Sequence, residues 1–428
     1  MQSIFKLIRK TYRMAQPYER KAVLSNAAFL SALQTITYIL PVFIIPYLFR
    51  TIGPEKFGLI AFAQAFMQYF IILTDYGFNI SATKEISLCR NEHAKVCNIF
   101  SSVMTAKIGL AFLSLLILGV IVYCTPRFRN DWPVYALSSG TILGNTIFPV
   151  WFFQGTEKMK YIANLNIAGG IIYALLIFLF VKVPQDYLMI PFINSCVFLA
   201  TGILGQYTVF RRFGVEFSLK GYKNIRQQLR AGWDIFISIA AINAYTTTRI
   251  FAIGILTNNT VTGFYSIAEK ISGLFQTFPL NSFSQAVFPR LSKVFHKNKI
   301  RAFKIMERLQ QITIATSLIF LPLAFIFAHL IVRLVCGVDY PETVLSLRLL
   351  LVSAFFISAN AFRVQFLLVC GKTHIYSRIH VVMAMIGMPL IFLLISSFSY
   401  VGAAVATVVI ETGVFCITYL TVRKLRIS

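Results

Sequence analysis

Seven ionisable residues stand inside long apolar runs: the bases Lys107, Arg249, Lys270 and Arg363, and the acids Asp75, Glu269 and Glu411. If those runs cross a membrane, each charge is costly unless paired or hydrated, which makes each a candidate for a working role. Amides and hydroxyls join them at helical spacing. Gln64, Gln68, Asp75 and Asn79 are separated by 4, 7 and 4 residues, which puts them on one helical face. The same steps recur in Asp234, Ser238, Tyr245 and Arg249, and again in Ser266, Lys270, Thr277 and Asn281. Lipid cannot satisfy such a face, so it must look onto protein or a water-filled cavity. Bases and amides around a hydrated cavity could trade water for contacts to an anionic group and to hydroxyls. Lys107, Arg249, Lys270, Arg363, Gln64, Gln68 and Asn281 are therefore the cavity candidates. Asp75, Glu269 and Glu411 are the candidates for taking up and releasing a proton. The competing expectation is that bases pair with acids and lock helices together.

The apolar runs supply the positioning elements. Of 428 residues, 57% are hydrophobic and only 13% charged, where a soluble protein has about 45–50% apolar residues and about a quarter charged. About twelve stretches reach the length of a membrane helix, near 23–49, 58–82, 99–124, 133–154, 162–181, 188–210, 231–256, 261–288, 309–332, 344–370, 379–397 and 401–422. With the N-terminus inside, 29 of the 40 Lys and Arg fall in inner segments, 7 in outer loops and 4 within spans. This asymmetry is a positive-inside signal with both termini cytoplasmic. The net charge of +25 thus reports topology, and no nucleic-acid partner is expected. Residues 1–22 form a basic segment without an apolar core of its own, so it does not read as a cleavable signal. Ile4, Phe5 and Ile8 could lay one face of it on an anionic leaflet. The seven cysteines are scattered with no C-x-x-C, and neither a disulfide framework, a metal site nor a cofactor is expected. His329 and His380 are isolated and read as structural.

A basic segment at 211–230 interrupts the hydropathy midway, dividing the chain into six-helix halves at 23–210 and 231–428. An internal repeat agrees with the division. Gly58-Leu-Ile-Ala-Phe-Ala63 and Gly263-Phe-Tyr-Ser-Ile-Ala268 align at an offset of 205, which also pairs Gln64 with Glu269 and Phe70 with Phe275. Thr51-Ile-Gly-Pro-Glu-Lys-Phe-Gly58 reads as a tight charged turn between the first two spans. Pro41, Pro46, Pro279, Pro322 and Pro389 interrupt the backbone ladder inside spans and shape kinks. Trp151, Phe152 and Phe153 read as an aromatic belt at an inner span end.

Several segments resemble a known family. P-x4-P-Y-L-x-R-x-I-G-P-E-x-F-G-L from Pro41, the D-Y-G-F-N-x-S-A-T-K-E-I-S run from Asp75, and Trp151-Phe-Phe-Gln-Gly-Thr-Glu-Lys-Met-Lys160 carry the likeness, with Gly263–Ile271 and Gln285–Ser292 in the second half. They resemble the O-antigen and polysaccharide repeat-unit flippases of the multidrug/oligosaccharidyl-lipid/polysaccharide superfamily. The resemblance implies an all-α, MATE-like membrane protein, two six-helix bundles around a cavity that opens alternately to either side. It implies an undecaprenyl-diphosphate-linked glycan as cargo, membrane lipids as surroundings, and the glycan polymerase and chain-length regulator of the same pathway as partners. It implies a bacterial inner membrane as location. Two other classes compete with this reading. A membrane glycosyltransferase or glycan polymerase lacks support, since there is no D-x-D, no P-loop and no large outer loop. A cation-coupled drug exporter shares the fold, but four buried bases against three or four acids lean toward an anionic cargo.

Overall fold

The computed structural model describes residues 17–276, 299–370 and 372–427, and these are helical with no strand. The Ile4–Phe5–Ile8 face, Pro279 and the Gln285–Ser292 segment lie outside the described residues.

The described residues begin with α1, Pro17–Asp75, which is interrupted at Gly53 (φ 74, ψ 169) just before Pro54. Glycine tolerates that backbone conformation and proline ends the preceding ladder, so the charged turn falls where expected, compressed to one non-helical residue. The last long helix, α16, Thr373–Ile427, is interrupted in the same way at Ser399. There the arms run antiparallel. A Cβ on Gly413 would press on Met383, one on Gly387 on Ile410, and one on Gly402 on the Leu394 carbonyl. The apolar stretches of α1 with its continuation and of α16 are 51 residues each, while one crossing needs about 20. Each therefore carries two crossings.

Between them run α2 (Phe78–Cys89), α3 (His93–Cys124), α4 (Pro126–Asn130), α5 (Trp132–Ser138), α6 (Gly140–Ile147), α7 (Val150–Gly155), α8 (Met159–Phe180) and α9 (Met189–Phe213). The second half holds α10 (Tyr222–Thr246), α11 (Thr248–Leu256), α12 (259–276), α13 (Lys299–Ile326), α14 (Ala328–Cys336) and α15 (Pro341–Val369). Among the described residues seven helices are long and apolar enough to cross a membrane, and the pair α10–α11, bent by 46°, makes an eighth. With two of them doubled these make ten; the fourth expected span is broken into short helices and the eighth lies partly outside the described residues, so the count is consistent with the dozen crossings expected.

Three local expectations are corrected. The second span does not continue to residue 82. It ends at Asp75, the chain turns through Tyr76 (φ 43) and Gly77 (φ 78), and α2 starts at Phe78. The fourth span is not one helix but α5, α6 and α7. Phe148 is extended ahead of Pro149, as the proline ring demands of its predecessor. Trp151, Phe152 and Phe153 are not a belt at the membrane surface. Their exposures are 0%, 1% and 0%, and they pack around Phe100 with Phe213 and Tyr161. A residue run of this bulk stabilises most where it is enclosed, by about 2–3 kcal/mol per ring.

The repeat has a structural counterpart. A Cβ on Gly58 would run into the Asn259 carbonyl and the Gly263 backbone, and one on Gly263 into the Pro54 carbonyl. Pro54 and Asn259, like Gly58 and Gly263, are related by the same offset of 205. The contact is therefore reciprocal, as at a two-fold axis. This seam is reinforced by Arg50, which donates to the carbonyls of Val335 (3.0 Å) and Leu334, and by Arg127, which donates to Thr257 O at 3.3 Å. A second seam closes the other end. Tyr76 stacks on Phe236 at 4.6 Å. Gly77 abuts Ile235, and Gly232 abuts the Tyr76 carbonyl.

Candidate functional site

The polar face on the second arm of α1 looks away from the packed core. Ala61, Phe62, Ala63, Ala65, Phe66, Met67 and Phe70 are buried, whereas Gln64 is exposed and Gln68, Asp75 and Asn79 are half-buried. Helical periodicity sorts the residues in this way. Although Asn79 belongs to α2, its amide still donates to Asp75 Oδ2 at 3.3 Å across the turn.

The buried charges fall into four settings. Lys107, 1% exposed, donates to Asp75 Oδ1 at 2.9 Å and to the Asn145 carbonyl at 3.3 Å. Arg249 forms an ion pair with Glu269 at 2.9 Å and donates to Thr407 Oγ1 at 3.1 Å and Thr246 O at 3.2 Å. Glu411, one helical turn beyond Thr407, lies within electrostatic range of Arg249. Lys270 is half-buried and among the described residues has no ion-pair partner. It lines a cavity of about 420 Å³ with Gln64, Asn166, Tyr173 and both arms of α1. Arg363 faces a separate cavity, its guanidinium 4.9 Å from the Phe415 ring and 5.1 Å from the Tyr419 ring. Asn281 and Thr277 lie outside the described residues.

Two readings of the spacing need correction. The face Asp234, Ser238, Tyr245, Arg249 does not line a cavity as a unit. Ser238 bonds Ser377 Oγ at 2.7 Å, and the Tyr245 hydroxyl bonds His380 Nδ1 at 2.8 Å. Both partners sit on α16, so this stripe joins two helices. The periodicity was the same, but the neighbour was a protein surface able to satisfy it. Ser266, at 0% exposure, turns back to the Gly263 carbonyl. His380 is enclosed by Tyr245 and Tyr376.

Asn166 and Tyr173 were missed. Asn166 carried a usable signal, an amide inside an otherwise apolar span. Tyr173 carried none, because tyrosines are common at both span ends and in cores.

The cavity is mostly apolar, with Leu40, Ile44, Leu48, Phe57 and Ile60 among its walls and Lys270, Gln64 and Asn166 among its polar lining residues. Such a site suits an amphiphile that carries an anionic group next to a hydrocarbon. The family described as Polysaccharide biosynthesis protein matches residues 23–295. The chain belongs to that family. A polysaccharide biosynthesis relative in Escherichia coli (strain K12), named as a candidate O-antigen transporter, is 30% identical over 404 residues, covering 93% of this chain and 96% of that one. A protein of Shigella dysenteriae with the same name is 25% identical, covering 90% and 96%. Among solved structures, this polysaccharide biosynthesis protein resembles a lipid II flippase, MurJ, in an inward closed conformation, with TM-score 0.73, 13% identity and coverage of 92% and 87%. It also resembles an outward-facing multidrug MATE transporter at TM-score 0.61 and 13% identity, covering 94% and 95%. The fold is that of a multi-pass helical membrane protein, shared with these flippase and MATE structures.

Proposed function

We propose that this protein is a flippase that moves an undecaprenyl-diphosphate-linked oligosaccharide repeat unit from the cytoplasmic to the periplasmic leaflet of a bacterial inner membrane. The halves 23–210 and 231–428, joined by 211–230, rock about the cavity in alternating access, and both termini are cytoplasmic. The observation that carries the reading is the contrast among the mid-membrane bases. Lys107 and Arg249 are already bonded to carboxylates, while Lys270 opens onto the cavity with amides beside it.

In this mechanism the Lys270 ammonium takes the diphosphate, replacing water with a charge-assisted contact. Gln64 and Asn166 bond the first sugar, since an amide can both donate to and accept from hydroxyls. The apolar wall of α1 accepts the isoprenoid units next to the diphosphate. Lys107–Asp75 and Arg249–Glu269 hold the cavity helices in register and can re-pair as the halves move. Asp75, Glu269 and Glu411 are the proposed proton-coupling groups, because a carboxylate that parts from its base as the halves move can take up a proton. The seam at Gly58 and Gly263 and the seam at Tyr76 and Phe236 act as alternate gates. The glycan polymerase and chain-length regulator of the pathway are its proposed partners.

Deletion of the gene with complementation tests this reading. Lipid-linked repeat units should accumulate on the cytoplasmic face, and the wild type should relieve this while Lys270→Gln should not. Normal outward delivery in the deletion strain would refute the reading.

A further inference from the structure

Arg363 was grouped by sequence with the other mid-membrane bases, yet it faces a cavity of its own, of about 230 Å³. The walls come from the first turns of α13 and the last turns of α15 and α16, which meet at one end of the second half. That end is the basic one, since Lys304, Arg308, Lys372, Arg423 and Lys424 belong to it. Arg363 lies six residues before the end of α15 at Val369, or about 9 Å along the axis at 1.5 Å per residue. It therefore sits towards one end of α15 and not at its middle.

The chemistry of the lining is specific. Arg363 and Arg423 face Glu307, which leaves a net charge of +1 on the lining. Gln310 and Gln311 add amides. Gln310 is only 4% exposed; its Nε2 donates to the Ser358 carbonyl at 3.3 Å, and its Oε1 is buried without a hydrogen-bond partner among the described residues. A buried amide oxygen left in that state costs roughly 1–3 kcal/mol unless a donor is brought to it. Arg363 is held edgewise by one backbone bond, Nη1 to Ala359 O at 2.7 Å, with aromatic rings under its face. That leaves its other N–H groups for a ligand, since a guanidinium has five. Tyr419 forms the rim. It is 43% exposed and is followed by Leu420 at 55%, so the pocket runs out onto the apolar outer surface.

We infer that this pocket binds the phosphodiester headgroup of an anionic phospholipid of the inner leaflet. A phosphodiester carries one negative charge, matching the net charge of the lining. Two guanidiniums supply the donors that phosphate prefers. A headgroup hydroxyl, as in phosphatidylglycerol, supplies the donor that Gln310 Oε1 lacks. The acyl chains leave past Tyr419 along the outer surface. A lipid bound there ties α13, α15 and α16 together at their inner ends, separately from the proposed transport cavity.

The test is native mass spectrometry of delipidated full-length protein titrated with phosphatidylglycerol, phosphatidylcholine and inorganic phosphate. The wild type should hold phosphatidylglycerol in preference to phosphatidylcholine, and Arg363→Gln and Arg423→Gln should each weaken that binding by roughly tenfold or more. Arg423 is exposed, so its variant reports on binding even if Arg363→Gln fails to fold. Three results would overturn the inference: equal retention of phosphatidylglycerol by Arg423→Gln and the wild type, no preference for it over phosphatidylcholine, or its displacement by inorganic phosphate, which marks a free-anion site.

Discussion

Breaking the Lys107–Asp75 pair from one side should cost more than breaking it from the other. At 2.9 Å the attraction is about 6 kcal/mol at an effective dielectric of about 20, most of it offset by desolvation. The partners are not equally enclosed: the Lys107 side chain is 1% exposed and that of Asp75 is 25% exposed. Asp75→Asn leaves an ammonium in a closed site with only the Asn145 carbonyl and a neutral amide, so it should cost about 3–5 kcal/mol. Lys107→Met leaves a carboxylate that still has the Asn79 amide and is itself a quarter exposed, so it should cost about 1–3 kcal/mol. The double variant, with no charge left to strand, should recover most of the Asp75→Asn loss. The assay is equilibrium unfolding of purified protein in mixed micelles for the wild type, both single variants and the double. An Asp75→Asn variant as stable as the wild type, or a double variant worse than either single, would refute the assignment of this pair as a helix lock.

Other substitutions separate the remaining roles. Lys270→Gln should leave the unfolding midpoint unchanged or raise it, yet abolish flipping in the leaflet-sidedness assay, because it removes a cation with no ion-pair partner among the described residues. Gly58→Leu should keep the seam with Asn259 and Gly263 from closing and raise hydrogen exchange in segment 54–63, with transport lost. Tyr245→Phe removes the bond to His380 and should cost about 1 kcal/mol in the same unfolding assay. In the loops, Arg90 bonds Glu157 at 2.8 Å and holds that carboxyl below its usual range. Its contribution is present above the ordinary carboxylate value and is lost as pH falls through the lowered one. Both groups are exposed, so the change should be small, under about 1 kcal/mol, and absent in Glu157→Gln.

The sequence revealed those features that depend on one helix or on a repeat. The stripe Gln64, Gln68, Asp75 was readable because helical periodicity alone decides which residues share a face. The pairing of Gly58 with Gly263 was readable because the two glycines sit in matching contexts. Pairing was not readable. Nothing in spacing says that Lys107 meets Asp75 rather than Glu411, since the choice depends on how α3 packs against α1. The stripe ending in Arg249 had the same period as the stripe on α1, and only the presence of α16 made it a helix contact. Arg363 was misgrouped for a related reason: hydropathy places a residue inside a span without giving its depth or its bundle.

The reciprocal seam at Pro54, Gly58, Asn259 and Gly263 has a consequence for ancestry. A surface in which each residue meets the counterpart of its own partner is self-complementary, which is the property that lets two identical chains form a two-fold dimer. The present protein needs no such dimer, because it carries both copies on one strand. A gene for a single half would already have encoded a mating surface for itself. Duplication and fusion would then have kept an assembly that already existed, and divergence could proceed at Gln64 and Glu269 while the glycines between the halves stayed fixed by geometry.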